Sequence, residues 1–132
     1  MIQADCDERL GRMSVSRVRQ YRWDEMPHER VTDEITRKVI SGEREMMAMV
    51  YLKQGATVPT HEHESEQMTY ILEGALKFEI DGAFIMLRAG DVLCIPSRVP
   101  HKAETIEDTV ELDVFSPIRQ DWIDKTDDYF RK

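Results

Sequence analysis

The sequence has no long apolar run, and its absence excludes a membrane helix. No stretch approaches the roughly 18 consecutive apolar residues that a spanning helix needs, although 41% of the 132 residues are apolar. The first residues are charged throughout and lack the apolar segment of a signal peptide. We therefore expect a cytoplasmic protein without a membrane partner, with residues 1–13 as a flexible tail and 14–132 as one domain.

Cysteine and positive charge are also scarce. Cys6 and Cys94 are the two cysteines, and this pair makes neither a disulfide framework nor a zinc cluster. We expect both to be free thiols and Cys94 to be a small core residue. The 18 Lys and Arg residues face 26 Asp and Glu residues, which gives a net charge of −8. Because an acidic chain without a basic stripe repels phosphate backbones, no nucleic-acid partner is expected.

Turn signals at short intervals separate segments that favour β-strands. The turns fall at 53–55, 73–74, 81–82 and 89–91. The segments between and after them read QMTYIL, ALKFEI, AFIMLR, DVLCIP and TVELDVF, and the apolar run MMAMVYL precedes them. Asp-Gly between two apolar runs is a strong hairpin signal, because the turn needs positive φ. This spacing predicts an all-β antiparallel sandwich or barrel.

The two ends of the chain show weaker patterns. Residues 14–40 are mixed and polar, and they predict a peripheral strand or a short helix. After Pro117, the spacing of Trp122, Ile123, Tyr129 and Phe130 predicts a short amphipathic helix across the barrel.

Three of the four histidines fall in two suggestive places. His61 and His63 stand two residues apart at the end of a predicted strand, so both face the same side. Gln67 begins the next strand, and His101 follows a turn bounded by two prolines. Imidazoles and an amide oxygen at one point suit one divalent transition-metal ion, which could be Ni, Fe, Mn, Co or Zn. Alone, the His-x-His pair is explained equally well by a hydrogen-bonded pair on a strand.

The spacing around these residues carries a family resemblance. The chain reads G-x5-H-x-H-x3-Q-x6-G from Gly55 and G-x5-P-x4-H from Gly90. This resembles the two signature motifs of the cupin superfamily, whose members are small jelly-roll (double-stranded β-helix) barrels with a metal inside. The resemblance covers residues 45–116, which we expect to form the metal-binding core. It implies four metal ligands: His61, His63, Gln67 and His101.

The pattern departs from the family at the position usually taken by a carboxylate, which is Gln67 here. Glu66 is one residue out of register and is expected to point away. A neutral amide leaves the ion its full charge of +2, which favours polarising a substrate oxygen over redox chemistry.

Residues near the end of the barrel provide a second clue. Glu111, Asp113 and Phe115 alternate onto one face of a predicted strand. That face is either the solvent side, or the cavity side with Asp113 as a proton carrier and Phe115 as a pocket wall. Arg119 is either a surface residue or a bidentate partner for a substrate carboxylate.

The segments HEHESEQMTYILEG and DVFSPIRQDW look like the pectin-degradation cupins of the KdgF type. That resemblance implies a His/His/Gln/His metal site and a D-x-F-x3-R set, matched by Asp113, Phe115 and Arg119, which opens the ring of unsaturated uronates. It predicts a metal-dependent isomerase with a carboxylate-bearing sugar as its small-molecule substrate. The wider cupin resemblance predicts a homodimer, because such barrels commonly pair, and residues 14–40 could supply an edge strand to the second copy. The alternatives are a quercetinase-like ring-cleaving dioxygenase and a non-catalytic small-molecule-binding cupin.

Overall fold

The computed structural model describes residues 17–129, which form two antiparallel β-sheets. One sheet has six strands in the order β1-β2-β3-β10-β5-β8, and the other has four in the order β4-β9-β6-β7. The strands are β1 (Glu29–Thr32), β2 (Ile35–Ser41), β3 (Met46–Leu52), β4 (Thr57–His61), β5 (Glu66–Glu73), β6 (Ala75–Ile80), β7 (Ala83–Arg88), β8 (Val92–Ile95), β9 (His101–Thr105) and β10 (Thr109–Ser116). A 3-10 turn at Trp23–Glu25 precedes them, and helix α1 (Gln120–Asp124) follows.

The predicted turns join these strands. Asp81 and Gly82 have φ values of 53° and 79° and connect β6 to β7, where Ile80 pairs with Ala83. Gly74, with φ of 95°, is required for a second reason. A Cβ at this position would lie 2.2 Å from the backbone oxygen of Asp108, so any side chain would collide with the β9–β10 connection.

The core lies between the two sheets and is extended at one end by α1. Strand β10 alternates buried and half-buried residues along most of its length, as expected for a strand with one inner face. The buried apolar residues include Ala48, Val50, Ile71, Leu76, Phe78, Ile95 and Phe115. The indole of Trp122, on α1, packs edge-on against Phe115 with 5.1 Å between ring centroids. Helix α1 therefore covers the end of the core at which β10 finishes.

The all-β jelly-roll prediction is confirmed, with two separate sheets rather than one closed barrel. Residues 29–41 of the weakly patterned N-terminal region form β1 and β2 at the edge of the larger sheet. The C-terminal helix is shorter than predicted, because it ends at Asp124 while Tyr129 lies beyond it. Phe130 and the predicted tail of residues 1–13 lie outside the described residues, and the one-domain assignment stays a prediction.

One core assignment was wrong. Cys94 is exposed, whereas its neighbour Ile95 is buried. Strand β8 is an edge strand of the larger sheet, and its alternation turns Ile95 inward and Cys94 outward. Within residues 17–129, no helix is long and apolar enough to cross a membrane.

Candidate metal centre and active site

The structure brings the three motif histidines together from two separate sequence blocks. His61 ends β4, and His101 begins β9, where the two residues pair across the strands. His63 lies two residues beyond the end of β4. One ring nitrogen from each lies within 4.8 Å of the others, so the three residues could hold a metal ion. The predicted convergence is confirmed.

Each imidazole is oriented by a hydrogen bond to a nearby backbone oxygen. The Nδ1 atoms of His61, His63 and His101 lie 2.8, 2.9 and 2.8 Å from carbonyl oxygens two residues away along the chain. Because a carbonyl only accepts, each Nδ1 carries the hydrogen, and each Nε2 keeps a lone pair. This is the tautomer in which Nε2 binds a metal and Nδ1–H is held by an outer partner.

Several of the nitrogen and oxygen atoms that could bind a metal carry a lone pair and no hydrogen. His101 Nε2 is buried without a hydrogen-bond partner in the part of the chain that is described. His63 Nε2 lies 3.0 Å from Gln67 Oε1, so two lone-pair atoms face each other. Burial lowers the pKa of His61 to about 3 and that of His63 to about 4, and it also lowers the pKa of His101. Neutral acceptors clustered in this way fit a divalent cation.

A hydrogen-bond chain orients the amide of Gln67. Its Nε2 donates to Thr69 Oγ1 at 2.8 Å, and the Thr69 hydroxyl donates its one hydrogen to Asp113 Oδ1 at 2.7 Å. The amide nitrogen therefore points to Thr69, and the amide oxygen points to His63. Sequence reasoning missed Thr69, although its position two residues after Gln67 on β5 places both on one face.

The face of β10 that carries Glu111, Asp113 and Phe115 points inward. The exposed fractions of these three residues are 6%, 3% and 1%. The solvent-side interpretation of this strand is therefore wrong. Burial raises the pKa of Asp113 to about 6. Burial and the neighbouring charge of Asp113 raise the pKa of Glu111 well above its usual range.

Arg119 is buried and already has a bidentate carboxylate partner. Its Nε and Nη2 donate to the two oxygens of Asp121 at 3.0 and 2.8 Å. Nη2 also donates to the Tyr129 hydroxyl at 2.5 Å. The guanidinium carbon lies 5.2 Å from the ring centre of Phe115 and 5.0 Å from that of Trp122. The surface interpretation of Arg119 is wrong, and its contacts with Asp121 and Tyr129 were not foreseen.

One interior cavity joins most of the candidate residues. The volume that the centre of a water molecule can occupy inside this cavity is about 30 Å³. Its lining consists of Val58, His61, Gln67, Phe78, His101, Ala103, Asp113, Phe115, Arg119 and Trp122. Candidate metal ligands, a buried carboxyl group and a permanent cation therefore border the same space. Such a site can combine a Lewis acid, a proton carrier and a binding group for an anion.

Two antiparallel sheets with histidines converging between them form the architecture of a cupin. The cupin domain model matches residues 48–116, and the chain belongs to the cupin family.

Individual relatives narrow the similarity further. The chain is 32% identical over 103 residues to the pectin degradation protein KdgF of Dickeya dadantii (strain 3937), covering 76% of this chain and 94% of the relative. The structure of KdgF from Halomonas sp. has a TM-score of 0.71 at 32% identity, covering 75% of this chain and 94% of that one. An RmlC-like cupin from Shewanella frigidimarina NCIMB 400 has a TM-score of 0.71 at 27% identity, covering 75% and 90%. The resemblance to KdgF-type cupins is confirmed.

We expect Gln67→Glu to raise metal affinity by about tenfold or more, because a carboxylate replaces a neutral amide beside the cation. Competition with a chromogenic chelator measures the change. Gln54→Glu makes the same chemical change at an exposed turn residue and should leave the affinity unaltered. Equal affinities in Gln67→Glu and the wild type would show that residue 67 is not a ligand.

Proposed function

We propose that this protein opens the ring of 4,5-unsaturated monouronates and isomerises them to the linear keto form. The observation that carries the proposal is the shared cavity, whose lining includes His61, Gln67 and His101 together with Asp113 and Arg119. The similarity to proteins named for pectin degradation supports this substrate class.

The Nε2 atoms of His61, His63 and His101 and the Oε1 atom of Gln67 would hold the divalent ion. A bound cation would supply Lewis acidity toward a substrate oxygen, at full charge because all four ligands are neutral. Full charge supports a ring-opening isomerase more than an oxygen-activating centre. The three imidazoles and the amide oxygen suit several transition metals, since imidazole sites accept more than one.

Asp113 is suited to the proton transfers of this reaction. Ring opening removes the proton of the C1 hydroxyl, breaks the bond between C1 and the ring oxygen, and adds a proton at C4. The former ring oxygen becomes the C5 ketone, and the composition does not change. A carboxyl group whose pKa is about 6 can accept and return a proton near neutral pH. Its hydrogen bond from Thr69 fixes one of its oxygens.

Arg119 supplies the charge that a uronate needs in a chain of net charge −8. Among the residues that line the cavity, its guanidinium is the group with a permanent positive charge. Phe115 lies between Arg119 and His63 and forms an apolar wall, with ring contacts to both. The substrate carboxylate would bind at Arg119, which leaves the ring oxygens toward the histidines.

The expected homodimer is part of the proposal. Met68, Tyr70 and Leu72 on the outer face of β5 are 48%, 43% and 39% exposed, which offers an apolar surface for a second copy.

The deciding experiment uses metal-loaded protein with a 4,5-unsaturated monouronate. We expect the ultraviolet absorbance of the C4=C5 bond to disappear at a rate proportional to protein concentration, with a new ketone signal in the NMR spectrum. Chelator-treated protein is the matched control and should lose most of this rate. Oxygen uptake during the reaction would indicate a dioxygenase instead. Binding without conversion would indicate a small-molecule-binding cupin.

A further inference from the structure

Tyr129 lies against the candidate active site from outside the cupin motifs. Its ring stacks on the imidazole of His61, with 4.2 Å between centroids and 18° between planes. Its hydroxyl oxygen accepts hydrogen bonds from Arg119 Nη2 at 2.5 Å and from Trp122 Nε1 at 3.3 Å. One oxygen atom therefore sits between a cationic donor and an indole donor, beside a candidate metal ligand.

The two donors suit a carboxylate better than a phenol. The phenol of Tyr129 is a neutral acceptor. A carboxylate paired with the guanidinium gains the attraction of two opposite charges, which a neutral phenol oxygen does not provide. Asp121 occupies Nε and one side of Nη2. A substrate oxygen that binds Nη2 on its other side must replace the hydroxyl of Tyr129.

The size of the cavity also requires a displacement. The volume that water centres can occupy, about 30 Å³, is enough for roughly one or two water molecules. Pockets for small molecules, in contrast, span about 300–1,000 Å³. A monouronate that is buried at this site therefore displaces a neighbouring group. Tyr129 contacts His61 and Arg119, which both line the cavity, and it is separated from the end of α1 by four residues.

A fixed point close to Tyr129 keeps its side chain near the site. Asp127, two residues earlier, accepts hydrogen bonds from Arg37 at 2.8 and 3.4 Å, and both side chains are fully buried. Glu29 binds the same guanidinium at 3.1 Å, and Trp122 stacks on it at 4.1 Å. A group held by so short a tether competes at a high effective concentration.

We propose that Arg119 Nη2 and Trp122 Nε1 form the subsite for the substrate carboxylate, and that the Tyr129 hydroxyl occupies this subsite as a tethered competitor until substrate displaces it. This inference rests on the proposed function for its substrate class. It assigns a role to Trp122 and Tyr129, which determine how tightly a sugar acid binds.

Tyr129→Phe tests the competitor, because it keeps the ring on His61 and removes only the oxygen. We expect the KM for the unsaturated uronate to fall about three- to tenfold with kcat unchanged, since the subsite no longer has an internal occupant. Trp122→Phe keeps an aromatic ring beside Phe115 and removes the donor, so KM should rise while metal content stays constant. Tyr21→Phe, at an exposed phenol before β1, is the matched control.

Calorimetric binding of galacturonate, a saturated monouronate, separates this inference from the proposed reaction. Tighter galacturonate binding by Tyr129→Phe than by the wild type supports the subsite even if no ring opening occurs. Unchanged or weaker binding by Tyr129→Phe overturns the competitor role, even if ring opening is observed. Equal gains in Tyr129→Phe for galacturonate and for neutral galactose would overturn the assignment to a carboxylate.

Discussion

Replacing His101 with alanine is expected to lower the metal content of the purified protein to less than about a tenth of the wild-type level. The Nε2 atom that this change removes is buried and has no other partner in the described part of the chain. Loss of an outer partner alone typically costs 10–100-fold in affinity, so loss of a ligand costs at least about 100-fold. Elemental analysis of protein purified with the metal in excess, followed by desalting, measures the effect.

His28→Ala is the matched control for that experiment. His28 is exposed, forms a hydrogen bond with the Thr36 hydroxyl and packs against the ring of Tyr51, and it lies far from the motif histidines in sequence. His61→Ala should reproduce the loss seen with His101→Ala. Circular dichroism of both variants distinguishes loss of the ion from loss of the fold. Full metal retention in His61→Ala and His101→Ala would refute the metal centre.

The candidate ligands could be predicted because strand periodicity and motif spacing both apply to them. His61 and His63 are two residues apart near the end of β4, Gln67 is the second residue of β5, and His101 is the first residue of β9. The turns fix the register of the strands locally, and this register brings the candidate ligands together.

Other features could not be predicted because they depend on contacts between distant or irregular segments. Arg37 and Asp127 are 90 residues apart, and no local pattern relates them. Tyr129 reaches His61 from beyond α1, where no periodicity fixes its position. For β10, the alternation showed that Glu111 and Asp113 share a face but not which side of the sheet that face lies on. That choice is set by the second sheet and by α1.

The neutrality of the candidate ligands and the burial of the carboxyl groups are connected. Thr69 bonds both Gln67 and Asp113, so the residue that orients the amide also fixes the proton carrier. A carboxylate at position 67 would place a further acidic group close to Asp113. Glutamine therefore keeps the pKa of Asp113 from rising further by charge repulsion, while it leaves the ion its full charge.

Asp113→Asn is expected to lower kcat for uronate ring opening by about 10²–10⁴-fold. Asparagine has the same shape and can still accept the hydrogen bond from Thr69, so Gln67 stays oriented and metal content should not change. In the wild type, the rate should fall below pH 6, because Asp113 is then protonated and cannot accept a proton. The variant should lose this dependence.

The stability of the same variant should change in the opposite direction. Burial raises the pKa of Asp113 from 3.8 to about 6, so the folded chain holds a proton that the unfolded chain releases between these values. The unfolding free energy of the metal-free wild type therefore falls as pH rises through this window, by about 3 kcal/mol from this group. At pH 7, urea denaturation should find metal-free Asp113→Asn more stable than the wild type.

Asp81→Asn, at an exposed turn that tolerates asparagine, should change neither rate nor stability. If Asp113→Asn opened the ring at the wild-type rate, Asp113 would not be the proton carrier, because asparagine has no group at that position that can accept the proton.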